Sequence, residues 1–461
     1  MKKYAIVLAA GKGTRMRCNK PDVSKVSFPL LGRPMIEWVY RAMHNVFFDE
    51  TVTVLGYGGE ALSHLAESYG KIAWQKEARG TGNAALEAAN LLEKEEGITV
   101  VLSGDTPLLT DKTLLALISS HLTHHNDLTV LTAIVQNPQN YGRIVKEGSM
   151  IKSIVAQKDC SVELEAIHEV NTGVYVFNNR ELFAHLEPLR EKAEAHLTEA
   201  IEMMILEGLK VAAFPAGNNE EALSVNDRYQ LSVANKALQR RINREWMLQG
   251  VTFEDPDTAY IGASVHLGRD TVIKPNVHIV GESCIGMDNV IGPDTYLDNV
   301  TIGQRNHIYY AHLTDTIVDN DADLGPYVRT RKGAHIHNKA HIGCFNELKN
   351  ADFGEGSKCA HLSYLGDATI GKGVNVGCGT IIANYDGVNK FHSDIDDNVF
   401  LGSGTTIISP VHVGKDAFIA AGSTINKDIP ETDMAIARAR QENKAGYAKV
   451  LKEKALAKKK K

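Results

Sequence analysis

The stretch YIGASVHLGRDTVIKPNVHIVGESCIGMDNVIGPDTYL (260–297) carries an aliphatic residue at every sixth position, from Ile261 to Leu297. Glycine often follows the aliphatic residue. A period of six fits neither a helix nor a simple strand, but it is typical of a coil whose short flat sides each turn one residue inward. Seven positions in register argue against a β-sandwich with chance spacing. Because one coil cannot bury its own inner face, the pattern predicts a stack of coils from about residue 251.

The same period returns in two later runs, which are Val318, Leu324, Thr330, Ile336, Ile342 and Leu348, and then Ile395, Leu401, Ile407, Val413, Ile419 and Ile425. It slips near residues 299–317 and 349–394. The second slip contains IIANYDGVNKFHSD (381–394), which we predict to be a loop that projects from the coil. Loops on a rigid scaffold are frequent places for a functional site.

Residues 1–227 instead alternate strand-like and helix-like runs. The strand-like runs are YAIVLA (4–9), TVTVLG (51–56), ITVVLSG (98–104), LTVLTAIV (128–135) and GVYVFN (173–178). This order predicts an α/β domain on a Rossmann-like mixed sheet, most of it parallel. Residues 228–250 show helical spacing with a glycine at the end, which predicts a linker helix. The predicted domains are therefore 1–227 and 251–461, the second of which ends in the basic tail KEKALAKKKK, predicted to be a solvated end.

Composition excludes several classes of function. The formal net charge of the 461-residue chain is −6, which gives no reason to expect binding to nucleic acid or to a membrane. No apolar run approaches the roughly 18 residues that span a bilayer. MKKYAIVLAAGKG is better explained as a first strand than as a signal peptide. The six cysteines are scattered without a CxxC pair, so we expect a protein of the reducing cytoplasm without disulfides or a zinc site.

LAAGKGTRM (8–16) follows the first predicted strand. Gly11 and Gly13 allow a bound group to approach the backbone closely, and Lys12 and Arg15 add positive charge. Met16 takes the third glycine position of a dinucleotide fingerprint, and the GK[ST] ending of a Walker A loop is missing. By itself the segment is a modest signal for phosphate binding, and a glycine-rich turn without a ligand is an equal alternative.

Further sequence motifs favour the phosphate site. They are PLLGRPMI (29–36) after Lys25, Gln75 with GTG (80–82), SGDTPL (103–108), YGRI (141–144), NTG (171–173) and SVNDR (224–228). In this order they resemble the sugar-1-phosphate nucleotidylyltransferases over nearly the whole first domain. The resemblance is greatest to the uridylyltransferase half of the bifunctional N-acetylglucosamine-1-phosphate uridylyltransferase / glucosamine-1-phosphate acetyltransferase family.

The resemblance implies roles for individual residues. It implies that Mg²⁺ is bound by Asp105 and Asn226, which offer the oxygen ligands that this ion prefers. By itself Asp105 could equally cap the helix that follows, and Asn226 could be a turn residue. The UTP and UDP-sugar site would comprise the uracil and ribose contacts Ala10, Gly11, Lys12, Gly13, Thr14, Gln75, Gly80 and Thr81, the triphosphate contacts Arg15 and Lys25, the sugar contacts Gly142 and Asn171, and also Leu8, Ala9, Ser103 and Gly104.

Three single positions and one segment depart from the family pattern. Ser103 replaces a tyrosine, Ala156 a sugar-contacting glutamate, and Ser24 a proline. AHLTEAI (195–201) replaces a tyrosine-rich segment. A lost carboxylate removes a hydrogen-bond partner worth about 1–3 kcal/mol of discrimination, so we expect a weakened uridylyl activity or an altered sugar specificity.

The second half carries more specific motifs. They are VRTRKGA (328–334), NELKNADFGEGSKCAHLSYLGDATIG (346–371), NVGCGTIIANYDGVNKF (375–391), FLGSGTTIISPV (400–411) and IAAGSTI (419–425). They closely resemble the acetyltransferase half of the same bifunctional family. The resemblance implies that the coil is a left-handed parallel β-helix of hexapeptide repeats and that the protein is a homotrimer.

Acetylation of an amine needs a base, and the resemblance implies that His361 is this base and that Glu347 orients it. The motif AHLSYLGD distinguishes His361 from the other histidines of the chain. Arg331, Lys349, Lys390, Tyr364 and Asn375 would bind the sugar phosphate. The acetyl-CoA site would contain Cys378, Asn384, Tyr385, Ser403, Ala421 and Arg438, with Cys378 as a small packed residue rather than a nucleophile.

Three hypotheses follow. The first is a bifunctional enzyme of UDP-N-acetylglucosamine synthesis that uses UTP, Mg²⁺, acetyl-CoA and amino-sugar phosphates. The second is an acetyltransferase whose nucleotidylyltransferase half is impaired or has another specificity. The third is a non-catalytic scaffold of the same architecture. A scaffold needs neither a base nor a phosphate-binding cluster, so the candidate residues for both argue against this hypothesis.

Overall fold

The structure, a computed structural model, describes residues 1–20, 23–139 and 141–459. The chain divides into two compact units, Met1–Arg244 and Glu245–Lys461. The last helix, α10 (Tyr447–Lys459), is exposed along its whole length, and the final two lysines of the basic tail lie outside the described residues. No helix in the described ranges is long and apolar enough to cross a membrane.

The first unit is built on a nine-stranded mixed sheet, whose strands are, in spatial order, β5 (Lys71–Trp74), β4 (Glu50–Leu55), β1 (Lys3–Ala9), β6 (Ile98–Ser103), β10 (Glu169–Asn178), β7 (Leu128–Ile134), β11 (Val211–Pro215), β9 (Met150–Val155) and β8 (Arg143–Glu147). The strands β5, β4, β1 and β6 are mutually parallel, and β10 is antiparallel to β6 and β7. This confirms the predicted mixed α/β sheet. Outside this sheet, β2 (Pro29–Leu30) and β3 (Arg33–Pro34) form a separate two-stranded antiparallel sheet.

Helices cover both faces of this sheet, because its central strands are apolar on both sides. Residues 4–7 of β1 are all buried, and alternate residues enter two separate hydrophobic clusters. The helices are α1 (Met35–Met43), α2 (Ser63–Glu67), α3 (Thr81–Leu86), α4 (Ala89–Leu92), α5 (Asp111–Thr123), α6 (Val162–Glu165), α7 (Asn179–Leu186), α8 (Leu197–Leu206) and α9 (Arg228–Leu248). Helix α9 lies in the segment predicted as a linker, and it packs through Ala234 and Leu238 on Leu30 and Met35.

The second unit is a parallel β-helix with three faces, which confirms the fold predicted from the hexapeptide period. Strands of successive coils pair in parallel, and residues 16–18 positions apart along the second face lie side by side, as Ile279 does with Ile261 and Leu297. The exception is the pair Ile382 and Ile407, between which the projecting loop is inserted. The first face consists of Thr252–Phe253, Val272–Ile273, Val290–Ile291, His307–Ile308, Asp323–Leu324, His341–Cys344, Lys358–His361, Asn375–Val376, Phe400–Leu401, Phe418–Ile419 and Met434–Ala435.

The second and third faces belong to one continuous 17-stranded sheet. Two long strands, Glu347–Phe353 and Tyr364–Ile370, run across both faces. The second face also contains Tyr260–Ile261, His278–Val280, Tyr296–Asp298, Ala311–Thr314, Val328–Arg331, Ile381–Ala383, Thr406–Ile408 and Thr424–Ile425. The third contains His266–Leu267, Cys284–Ile285, Thr301–Ile302, Thr316–Val318, Ala334–Ile336, Ser393–Ile395 and His412–Val413.

The predicted slips of the period are short coils rather than breaks. Between Leu297 and Val318 the inward residues are Ile302, Ile308 and Leu313, so several steps take five residues instead of six. Every one of these side chains is buried, and the strands stay paired. In the second slip, only the segment between Ile382 and Ile395 leaves the coil.

Candidate active sites in the two units

A pocket in the first unit lies where β1 and β6 end. It is lined by ten residues predicted for the nucleotide site, which are Leu8, Ala9, Ala10, Gly11, Lys25, Gln75, Gly80, Thr81, Ser103 and Asp105. Val26, Ala84 and His196 complete the lining. The carboxyl ends of parallel strands are the usual binding edge of an α/β sheet, so the topology accounts for the position of this pocket.

A second cavity adjoins the first and shares Lys25 with it. Its lining includes Lys12, Gly13 and Thr14, so the predicted loop lies between the two cavities. Gly13 has a φ of 59°, and a Cβ atom there would lie 2.6 Å from the Cβ of Lys25. Only glycine therefore allows this loop to pass so close to Lys25.

Polar groups converge around Asp105 and Asn226, beside the first pocket. The ammonium of Lys25 forms an ion pair with Asp105 and a 3.2 Å hydrogen bond to Asn226 Oδ1. Arg15 Nη2 donates to the same amide oxygen at 2.8 Å. The hydroxyl of Ser103 donates to Asp105 Oδ1 at 2.6 Å. The structure thus brings together the two predicted metal ligands and the two predicted triphosphate contacts.

The oxygen atoms of Asp105 and Asn226 fit a magnesium ion chemically. One is a carboxylate oxygen and the other an amide oxygen, both of the hard type that Mg²⁺ selects. They already face one cation, since both accept from Lys25 Nζ. Two such ligands, with water and phosphate oxygens in the remaining positions, are a usual protein contribution to a magnesium site.

The predicted sugar contacts also lie together. The backbone N–H of Asn171 donates to the carbonyl oxygen of Gly142 at 2.9 Å. The Asn171 side chain donates to the hydroxyl of Tyr175 at 2.7 Å. Gly173 lies next to Ser103, since a Cβ atom built on Gly173 would be 3.7 Å from the Cβ of Ser103. Burial raises the pKa of Tyr175 to about 12, so this hydroxyl stays neutral. Gly104 sits within the sheet edge, where its N–H donates to Leu8.

The departures from the family pattern have different surroundings. Ser103 stands where the family usually has a tyrosine, and its hydroxyl donates a hydrogen bond to Asp105. His196 lines the nucleotide pocket and precedes α8, whose Glu199 carboxylate accepts from the His196 N–H. Ala156 is exposed at the end of β9. The hydroxyl of Ser24 is buried and has no hydrogen-bond partner among the described residues.

In the second unit, a cationic cluster lies on the second face of the β-helix. Arg331 and Lys349 occupy paired positions on neighbouring strands. Lys349 Nζ lies 3.4 Å from Asp367 Oδ2, and Asn384 Nδ2 donates to the same oxygen at 2.5 Å. The Tyr364 hydroxyl is 3.5 Å from Asn384 Nδ2. We call Arg331, Lys349, Tyr364, Asp367, Asn384 and Lys390 the cationic cluster.

The charges of this cluster act on one another. A hydrogen bond donated by the Lys349 ammonium to the neutral amine of Lys390, together with the charge of that ammonium, lowers the pKa of Lys390. The same hydrogen bond raises the pKa of Lys349, and the carboxylate of Asp367 adds to this effect. Burial alone would raise the pKa of Asp367, but the hydrogen bond from Asn350 and the charge of Lys349 lower it overall. Cations held this close together favour binding of an anion.

His361 lies at the corner that joins the first and second faces. It pairs with Cys344 on the preceding coil, and its Nδ1 is 3.6 Å from Cys344 Sγ. Cys378, Ser403 and Ala421 follow at the same corner on later coils, where the carbonyl oxygens of Cys378 and Ser403 accept from Gly404 and Gly422. Arg438 Nη1 then donates to the Ala421 carbonyl oxygen at 2.8 Å. We call Cys344, His361, Cys378, Ser403 and Ala421 the corner column.

The corner column and the cationic cluster meet between His361 and Tyr364. These two residues belong to the same coil and are separated by one turn of the chain. The hydroxyl of Ser363, within that turn, donates to the His361 carbonyl oxygen at 3.1 Å. One corner of the β-helix therefore carries an imidazole on one side and an anion-binding cluster on the other.

The role predicted for Glu347, to orient His361, stays a prediction, and the structure shows the surroundings of both residues. Among the described residues, the Glu347 carboxylate bonds Arg331 Nη1 at 3.1 Å, and no contact joins it to His361. Glu347 pairs with Arg329 and Tyr364 on the second face, whereas the His361 ring is directed along the corner toward Cys344. The side chain in contact with the imidazole is thus a thiol.

The roles predicted for Asn384 and Asn375 also stay predictions, and their surroundings are as follows. Asn384, predicted for acetyl-CoA, is buried and bonds Asp367 within the cationic cluster. Asn375, predicted for the sugar, lies on the first face between Lys358 and Phe400. Tyr385 is exposed on the projecting loop, where its hydroxyl donates to Gly387 at 2.5 Å and its backbone bridges to Lys390.

Three residues of these sites were missed by the sequence reasoning. His196 and Asp367 stand inside motifs already recognised, AHLTEAI and AHLSYLGD, so their motif context was an available signal. Cys344 had no such signal, because its contact with His361 arises from a separation of 17 residues that one turn of the coil closes.

Comparison with known proteins finds a transferase family in each half of the chain. Residues 4–246 match the nucleotidyl transferase family, and residues 392–427 match the bacterial transferase hexapeptide (six repeats) family. Fold, sites and matches together define a two-domain transferase, with nucleotidyl transfer in the first unit and acyl transfer in the second.

Relatives match almost the whole chain. The bifunctional protein GlmU of Geobacillus sp. (strain WCH70) is 42% identical over 97% of this chain and 98% of its own. That of Listeria innocua is 42% identical over 98% and 99%, and that of Shouchella clausii is 41% identical over 97% and 99%. The chain belongs to the GlmU family of bifunctional proteins. It is accordingly a uridylyltransferase and N-acetyltransferase of UDP-N-acetylglucosamine synthesis.

Proposed function

We propose that the corner of the β-helix acetylates glucosamine 1-phosphate and that the pocket of the first unit then converts the product to its UDP derivative. The observation that carries the acetyl-transfer assignment is the meeting of His361 with the cationic cluster. Arg331, Lys349 and Lys390 supply positive charge for a sugar phosphate dianion, and the imidazole supplies a base within the same corner.

In the acetyl-transfer step, His361 removes a proton from the sugar ammonium. That proton passes to solvent. The free amine then attacks the thioester carbonyl carbon and the C–N bond forms, after which His361 takes the second proton from the nitrogen of the adduct and the C–S bond breaks. The coenzyme leaves as a thiolate and takes up the proton that the imidazole holds. Cys378, Ser403, Ala421 and Arg438 extend from His361 along the corner column and would contact the coenzyme. Cys344 would hold the imidazole in place, and Glu347 would hold Arg331.

In the uridylyl-transfer step, a phosphate oxygen of N-acetylglucosamine 1-phosphate attacks the α-phosphorus of UTP, and pyrophosphate leaves. No side-chain nucleophile is needed, so the residues act by position and charge. Lys25 and Arg15 offset the negative charge of the triphosphate, and Gln75, Gly80 and Thr81 border the space for the uridine. Asp105 and Asn226 would hold Mg²⁺, which neutralises phosphate charge when bound.

The sugar specificity of the first unit follows from Ala156 and Ser103. Ala156 offers no carboxylate to a sugar hydroxyl, and the hydroxyl of Ser103 is bonded to Asp105. We therefore propose a uridylyl activity that discriminates among sugar 1-phosphates less strongly than a site with the usual glutamate, by about 1–3 kcal/mol.

The assembly that we propose is a cytoplasmic homotrimer whose product serves bacterial cell-envelope synthesis. The six scattered cysteines are free thiols in every described case, which suits a reducing compartment. Hexapeptide acyltransferases of this type place their sites between neighbouring β-helices, and the corner column is exposed along its length except for the half-buried Cys344. Light scattering of the purified chain would measure the number of subunits.

Separate assays of the two reactions test the assignment. We expect His361→Ala to lower acetyl transfer by at least about a thousandfold while uridylyl transfer is unchanged, because only the first reaction needs the base. Asp105→Ala should have the reverse effect. The matched control His412→Ala alters an exposed histidine of the third face and should leave both rates intact. Loss of both activities from one substitution, in a folded protein, would exclude two separate sites.

A further inference from the structure

Outside both active sites, two histidines and an aspartate converge on the third face of the β-helix. Asp319 directly follows the strand Thr316–Val318, and His335 and His337 lie on the next coil, within and just after the strand Ala334–Ile336. His335 Nε2 is 3.0 Å from Asp319 Oδ1, and His337 Nδ1 is 3.0 Å from Asp319 Oδ2. The two imidazole rings lie 4.0 Å apart between their centroids. Among the described residues, this is the one group of three such side chains whose ligand atoms all lie within 4.8 Å of one another.

Backbone pairing fixes this arrangement. The N–H of Asp319 donates to Ile336 at 2.8 Å, and the N–H of His337 donates to Phe353 at 2.9 Å. The three coils are therefore locked in register beneath the side chains. Strand alternation places His335 and His337 on the same side, because they flank the inward residue Ile336.

A fourth residue orients one of the imidazoles. Asp352, on the following coil, pairs with His335 in the sheet and lies 2.5 Å from His337 Nε2. When Nε2–H donates to Asp352, the lone pair of Nδ1 is directed at Asp319. An imidazole nitrogen that faces a carboxylate needs a proton or a cation between them. A carboxylate that accepts from the outer nitrogen of a metal-binding histidine is a frequent feature of metal sites.

We propose that Asp319, His335 and His337 bind one divalent transition-metal ion of the zinc type. Two imidazole nitrogens and one carboxylate oxygen suit Zn²⁺ rather than Mg²⁺ or Ca²⁺. Their 3.0 Å separations are close to the roughly 3.3 Å between ligands around a tetrahedral zinc ion. All three side chains are about one-third exposed, so the fourth position faces solvent. The ion would join two neighbouring coils, and this site is independent of the function proposed above.

The chain contains its own control for histidine–aspartate pairs that cannot form such a site. Asp323 also lies between two histidines, with His307 Nδ1 at 3.3 Å and His341 Nδ1 at 3.0 Å. These histidines occupy the coils before and after Asp323, so two strand spacings, about 9.6 Å, separate them. Their nitrogens do not converge, and we expect no metal binding there.

Equilibrium dialysis of the metal-free full-length chain against Zn²⁺, with Mg²⁺ in excess, tests the proposal. We expect the double variant His335→Asn/His337→Asn to bind one zinc ion fewer per chain than the parent, and His341→Asn to bind as many as the parent. Asp352→Asn should weaken binding about tenfold without changing the stoichiometry. Acetyltransferase activity of each variant verifies the fold, and Asp319→Asn replaces the double variant if that protein does not fold.

Equal zinc stoichiometry in the parent and in the double variant would overturn the proposal. The proposal would also be overturned if His341→Asn lost as many zinc ions per chain as the double variant, because ordinary surface histidines would then account for the binding. Absorption of the Co²⁺-loaded chain in the visible range provides the second measurement. A d–d spectrum that disappears in the double variant supports a site of nitrogen and oxygen ligands, whereas a spectrum unchanged by the substitutions contradicts it.

Discussion

Single residues decide how the base of the acetyl-transfer site is held. Cys344 Sγ is the side-chain atom found 3.6 Å from His361 Nδ1, and Glu347 bonds Arg331 instead. Thiols are weak hydrogen-bond partners, so this contact orients the ring without adding charge. We expect Cys344→Ala to lower kcat for acetyl transfer about three- to tenfold while KM for glucosamine 1-phosphate stays the same. Steady-state kinetics on both reactions measure this.

The matched control for Cys344 is Cys284→Ala, which alters an exposed cysteine of the third face. It should leave kcat unchanged, and uridylyl transfer should be unaffected in both variants. An increase in KM with a constant kcat would instead assign Cys344 to substrate binding. At this scale, sequence motifs predicted which residues lie together, including Lys25 with Asp105. They could not predict the partner of His361, because that partner depends on how many residues each coil contains.

At the scale of elements, the projecting loop completes the cationic cluster. Residues 384–390 leave the coil after Ile382, and the loop delivers Lys390 to Lys349. We expect Lys390→Met to raise KM for glucosamine 1-phosphate about tenfold with little change in kcat, because one cation that binds the dianion is lost. Lys372→Met removes an exposed lysine that pairs with Glu355 and should have no effect.

The same pair of lysines predicts a pH dependence. Since the Lys349 ammonium lowers the pKa of Lys390, Lys390 loses its proton at a lower pH than an isolated lysine. The affinity for the sugar phosphate should therefore fall as the pH rises through this lowered value. In Lys349→Met, the pKa of Lys390 returns toward its ordinary value, so the affinity for the sugar phosphate should fall at a higher pH than in the parent. A fall at the same pH in both proteins would contradict the electrostatic coupling.

The elements themselves were predictable where the sequence repeats. The six-residue period predicted the β-helix, since each inward position must be apolar for the coils to stack. The short coils between Leu297 and Val318 were less predictable, because a five-residue step keeps the same inward side chain and only shortens the corner. The contacts of Asp367 were not predictable, since its φ of 51° and its bond to Asn384 depend on where the loop returns.

At the scale of the whole molecule, two hydrophobic interiors of different organisation occur in one chain. The mixed sheet buries clusters shared among strands distant in sequence, whereas each coil of the β-helix packs only on its neighbours. Ile407 is fully buried between Ile382 and Ile425 on adjacent coils. We expect Ile407→Ala to cost about 2–5 kcal/mol of stability in the second unit, because a cavity remains after the side chain is shortened.

Hydrogen exchange distinguishes this local effect from global destabilisation. In Ile407→Ala, amides of the coils around residues 376–425 should lose protection most, and the strands of the first unit should keep theirs. Leu117→Ala, at a fully buried position of α5, should give the opposite pattern. Since nearest-neighbour contacts carry the stability of stacked coils, the loss should decline with distance along the β-helix. A uniform loss of protection in both units would show that the two interiors unfold as one, and the two activities would then share a common stability.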